Sequence, residues 1–212
     1  MLIELLRDEP LTFFLVVGIL LFSLTLHELG HALSASWSGD QTARLMGRLS
    51  LNPFRHLDPW GTLLLLFAGF GWAKPVPIDP RNFRHYRLGL FAVSVAGIVV
   101  NVLIALACVL LLRSLDALGM ATPDGTLTKA LLYAAAINIT LAVFNLLPVP
   151  PLDGSKIVQS ALPLRWHPFI WRLEANPNYA IIALLLFLTV LRGPVVQLIR
   201  LVQNEFFKFT LG

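Results

Sequence analysis

Long stretches without a single charge constrain this chain more than any other feature. Leu88 to Leu112 is 25 residues with no Asp, Glu, Lys or Arg; Ala130 to Leu152 is 23, and Ala175 to Leu191 is 17. Leu11 to Leu26 is also uncharged, and the apolar pattern resumes from Ala32 to Trp37. At 1.5 Å per residue, residues 12–37 as one helix would be about 39 Å long, enough to cross a ~30 Å hydrocarbon core with some tilt. Four segments therefore qualify as spans. No water solvates backbone amides inside a bilayer, so such runs must be helical. Composition agrees: 57% of the 212 residues are hydrophobic and 13% are charged, against about 25% charged in ordinary soluble domains. The expected fold is an all-α polytopic membrane protein, a bundle of four to six transmembrane helices.

Gly61 to Ala73 holds only 13 uncharged residues, which suits a re-entrant segment better than a span. Its flanking loops are basic, with Arg44, Arg48 and Arg55 before it and Lys74, Arg81, Arg84 and Arg87 after it. Lys and Arg gather on the cytoplasmic side of membrane proteins. Both loops then lie inside, and a short re-entrant or extended stretch is expected near residues 61–80. The loop 153–179 adds Lys156, Arg165 and Arg172 to that side, while the outer side keeps Arg7, Arg113 and Lys129. The N-terminus is expected outside, with helix 12–37 running inward. The same bias explains the net charge of +4 without a nucleic-acid partner. From Val195 onward, Leu198, Ile199, Val202, Phe206 and Phe209 follow helical spacing, as in an amphipathic helix packed on the bundle or lying at the interface. The chain reads as one multi-pass domain in the cell membrane, residues 1–212, with a core at 12–158 and a helical tail at 175–212. The lone Cys108 has no disulfide or CxxC partner.

Within the first span stands His27-Glu28-Leu29-Gly30-His31. Residues four apart share one helix face, so both imidazoles can hold one Zn²⁺, and Glu28 can act as base toward water at the metal. An acid in a spanning helix is unfavourable by about 2.5–3.5 kcal/mol, which a metal partner would offset. Catalytic zinc usually has three protein ligands. Asp153 is the best third candidate, because helices 12–37 and 130–152 both run inward and reach the same side. Cys108, His56 and Asp58 are weaker candidates. Pro148, Pro150 and Pro151 must unwind the chain just before Asp153. Unwound backbone at membrane depth needs a water-filled or protein-lined cavity. Asn101 and Asn138 are expected to bridge helices. Asn145, just before the break, is placed to stabilise an oxyanion.

These motifs resemble the site-2 proteases, intramembrane zinc metalloproteases of regulated proteolysis. The likeness covers roughly residues 12–158. It is carried by His27-Glu28-Leu29-Gly30-His31 and by Asn145-x-x-Pro148-x-Pro150-x-x-Asp153-Gly154. It extends to His56-Leu57-Asp58-Pro59-x-Gly61 and Gly71-Trp72-Ala73-Lys74-Pro75-Val76-Pro77. The resemblance implies one zinc per chain on His27, His31 and Asp153, with Glu28 as general base and Asn145 as oxyanion donor. It implies peptide hydrolysis within or near transmembrane segments of membrane-protein substrates, with the site toward the cytoplasm. The extended Lys74-Pro75-Val76-Pro77 edge would receive unwound substrate as an added strand. Ala96-Gly97-Ile98-x-x-Asn101 departs from the family, whose members often have Pro after the Gly; this bears on helix shape. No regulatory domain fits in the chain, and its oligomeric state is left open. Two other readings are a metal transporter using the same three side chains and an inactive scaffold. The single broken helix, without a repeat, disfavours the first, and retention of Glu28 disfavours the second.

Overall fold

A computed structural model describes residues 2–68, 73–174, 176, 179 and 186–211. Three helices are long and apolar enough to span a membrane: α2 (Pro10–Ser38), α5 (Tyr86–Ala117) and α6 (Thr126–Asn145). They pack on one another in all three pairings. The short α1 (Leu2–Asp8) precedes them, and α3 (Thr42–Leu45) and α4 (Pro59–Ala68) lie between α2 and α5. Beyond α6 come α7 (Asp153–Ala161), α8 (His167–Glu174) and α9 (Arg192–Leu211). No strand is present among the described residues, only one isolated antiparallel bridge between Leu57 and Ala73. The candidate span 175–191 falls largely outside the described residues, as do Gly71 and Trp72.

The core is built of small residues at helix contacts. Ala105, Cys108 and Val109 of α5 meet Leu131, Ala134, Ala135 and Ile139 of α6. Between apolar helices in lipid, van der Waals contact and interhelical hydrogen bonds supply cohesion, and small side chains bring backbones close. Asn138 supplies one such bond, from Nδ2 to Ser23 Oγ of α2 at 3.0 Å, as its place in the sequence suggested. Cys108 is buried in this core, far from any ligand role.

The segment between α2 and α5 is held at both ends. Ala73 bridges back to Leu57, with Lys74 N–H donating to the His56 carbonyl at 2.8 Å. The chain at Leu57 and at Ala73 is thus held side by side. Asp58 caps this stretch, its carboxylate accepting from Gly61 N–H at 2.8 Å. Asp40, just past α2, is fully buried. It accepts hydrogen bonds from Thr42, from Asp79 N–H and from Asn82 Nδ2.

The tail packs on the bundle rather than lying apart from it. In α9, Val202, Phe206 and Phe207 rest against the α5–α6 core, and Gln203 Nε2 donates to Ala136 O and Thr140 Oγ1 of α6. Phe209, expected on the buried face, is exposed, and Phe207 packs in its stead. Val195, Val202 and Phe206 keep the expected seam.

Candidate metal centre

His27 and His31 sit one turn apart on α2 and are both buried. His31 Nδ1 lies 2.7 Å from the Val93 carbonyl of α5. A carbonyl only accepts, so this nitrogen carries the proton. His27 Nδ1 lies 2.7 Å from Asn101 Oδ1, also on α5, and donates in the same way. In the neutral rings both Nε2 atoms are then bare lone pairs. They lie 3.0 Å apart. Asp153 Oδ2 completes the group, 3.4 Å from His27 Nε2 and 3.2 Å from His31 Nε2.

Three electron-pair donors thus converge with no proton among them, and a cation is what relieves that arrangement. Ligands about 2.0–2.1 Å from a tetrahedral zinc ion lie about 3.3 Å from one another. The observed separations match. Gly97 makes room for the rings: a Cβ there would come within 2.5 Å of His27 Cε1 and of His31 Nε2. Its helix, α5, runs unbroken through this point.

Asp153 arrives by the expected chain break. The α6 helix stops at Asn145, three residues before Pro148. The proline has no amide to continue the ladder and disfavours helical backbone before it. The chain then turns through residues 146–152, and α7 starts at Asp153 itself. A carboxylate in a helix's first turn is favoured by the helix dipole. Gly154 is required there, because a Cβ would lie 2.2 Å from the Leu146 carbonyl oxygen.

A cavity of about 480 Å³ opens on the group, lined among others by Glu28, Asn145, Pro75, Val76 and Lys156. All five site residues expected from the sequence line it: His27, Glu28, His31, Asn145 and Asp153. Glu28 Oε2 accepts from Val76 N–H at 3.0 Å, which leaves Oε1 for other work. His56 does not join them. It is fully buried, with Nε2 donating to Ser50 O at 2.7 Å. Burial depresses its imidazole pKa; the Ser50 bond opposes this and Arg48 reinforces it. Sequence reasoning missed the hold of Asn101 on His27 and of Val93 on His31. A buried asparagine on an apolar helix signals a polar partner without naming it, and a main-chain carbonyl leaves no trace in the sequence.

A family model described as Peptidase family M50 matches residues 115–188, a stretch that includes Asn145 and Asp153. The Bacillus subtilis protein named "Putative zinc metalloprotease YwhC" is 46% identical over 147 residues, covering 68% of this chain and 67% of that protein. The chain belongs to peptidase family M50, the site-2 proteases. The Mycobacterium tuberculosis protein named "Putative zinc metalloprotease Rip2" is 33% identical over 146 residues, 67% of this chain but 55% of that protein. No solved structure matches the chain. As an M50 peptidase with three apolar helices, it is a zinc metalloprotease of the membrane.

Proposed function

We propose that this peptidase hydrolyses peptide bonds within or near transmembrane segments of membrane-protein substrates, as in regulated intramembrane proteolysis. The observation that carries the reading is the depth of the metal group. His27 lies about 26 Å along α2 from Pro10 and about 16 Å from Ser38. A water-dependent reaction placed there suits a substrate that is itself in the bilayer. One zinc per chain would be held by His27, His31 and Asp153, and the site would face the cytoplasm.

Zinc bound there supplies Lewis acidity toward the scissile carbonyl and toward water. Glu28 accepts the proton of the attacking water and delivers it to the leaving amine. Its Oε2 is anchored by Val76 N–H, so the working oxygen has a defined position. Asn145 stands at the end of α6 with no hydrogen bond to its amide among the described residues, and its Nδ2 donates to the oxyanion. The substrate helix unwinds to reach this group and lies along the extended Lys74–Pro77 segment. Each proline fixes its own φ and restricts the residue before it.

Two variants test the assignment. Glu28→Gln should retain zinc and lose cleavage of a single-span substrate in detergent; normal turnover would end the proposed mechanism. His31→Ala should lower the zinc content of purified protein, read by elemental analysis. Unchanged stoichiometry would remove His31 from the ligand set.

A further inference from the structure

The wall formed by Lys74 to Pro77 is short of hydrogen-bond donors. Pro75 and Pro77 have no N–H. The Lys74 N–H is taken by the His56 carbonyl at 2.8 Å, and the Val76 N–H by Glu28 at 3.0 Å. A peptide laid along this wall finds acceptors for its N–H groups and nothing for its own carbonyls. A carbonyl left unpaired away from water is costly, so its donors must come from another wall.

Helix α7 carries one. Gln159 is 2% exposed and lines the same cavity as the metal group. Its Nε2 is nevertheless buried with no hydrogen-bond partner. Buried side-chain donors are nearly always paired, and an exception calls for a reason. Among the described residues nothing uses this amide. Gln159 stands six residues after Asp153 on α7, about 9 Å along the helix axis. That distance corresponds to about three residues of extended peptide.

We propose that Gln159 is a substrate-binding residue whose side-chain amide, buried before substrate enters, turns into the cavity and donates to a backbone carbonyl of the unwound substrate, about three residues from the scissile bond. The inference rests on the reading that substrate enters as an unwound peptide. An amide that reads a carbonyl is indifferent to the side chain beside it. The contact therefore selects exposed backbone over sequence, and helical substrate, whose carbonyls are already paired, gains nothing from it.

The test uses Gln159→Met, which keeps the side-chain length and removes the donor. Zinc-loaded full-length protein in detergent is assayed on two fluorogenic peptides, one extending past the Gln159 position and one stopping short of it. The variant should raise KM for the long peptide about tenfold, the effect of one lost hydrogen bond. Kinetics on the short peptide should not change. The melting temperature should hold or rise, because an orphaned buried donor has been removed. An unchanged KM on the long peptide would overturn the proposal. So would an equal loss on both peptides with a lower melting temperature, which marks a structural role. If the wild type cleaves neither peptide while zinc-loaded, the reading that substrate enters as an unwound peptide has failed and this one falls with it.

Discussion

Asn101 holds His27 in the tautomer that can serve a metal. Only the ring protonated on Nδ1 presents a bare Nε2, and the 2.7 Å contact to Asn101 Oδ1 selects that form. Removing such an outer partner typically costs 10–100-fold in metal affinity. Asn101→Ala should therefore weaken zinc binding by about that factor, read by chelator competition on purified protein. Asn138→Ala is the matched control. That side chain is equally buried, but it bonds Ser23 rather than a ligand. It should lower stability by about 0.6 kcal/mol, the average for interhelical bonds in a membrane, and leave zinc affinity alone. If both variants lose zinc equally, Asn101 is only a helix bridge. The two asparagines look alike in the sequence. Their different partners depend on which turn of α2 faces each one, and that is set by tertiary packing.

At the scale of elements, the extended segment keeps its place through one buried acid. Asp40 takes bonds from Thr42 beside it and from Asp79 and Asn82 across the loop. Burial disfavours its charge, but these donors outweigh burial, and its pKa lies below the ordinary 3.8. A carboxylate with a lowered folded pKa stabilises fully above its unfolded value and loses that contribution as pH falls through the folded one. Asp40→Asn should lower stability at neutral pH by about 1.5–3 kcal/mol, the worth of a bond to a charged group. It should also flatten the part of the stability profile below about pH 4. Melting in detergent across pH would show both; an unaltered acid limb would mean that Asp40 does not hold the segment. The elements themselves were largely readable. Charge-free runs gave α2, α5 and α6, and Pro148 gave the break before Asp153. Asp40 was not readable, because the donors that tie it across the loop, Asp79 N–H and Asn82 Nδ2, lie 39 and 42 residues downstream and the first is a backbone group. Gln159 was hidden for the opposite reason: its signal is a missing partner, which shows only once the helices are packed.

Over the whole molecule, the site forms because three helices bring the correct ends together. His27 and His31 lie beyond the middle of α2, Val93 and Asn101 lie in the first half of α5, and Asn145 closes α6. A chain passing in along α2, out along α5 and in along α6 superposes these positions at one end of the bundle. The local motif needs this topology, since His-Glu-x-x-His supplies two ligands and Asp153 is 122 residues beyond His31. Which end faces the cytoplasm rests on the basic loops. Single cysteines at exposed positions can read this, with the buried native Cys108 as a silent background. Arg55→Cys lies in the loop after α2, Asp124→Cys between α5 and α6, and Arg165→Cys beyond α7. In intact cells a membrane-impermeant maleimide should label Asp124→Cys alone, and Arg55→Cys and Arg165→Cys should react only after lysis. The reverse pattern would turn the cavity outward and reverse the side on which products are released. Arg55→Cys and Arg165→Cys labelling from opposite sides would contradict the topology itself, since His31 and Asp153 could then not share one metal.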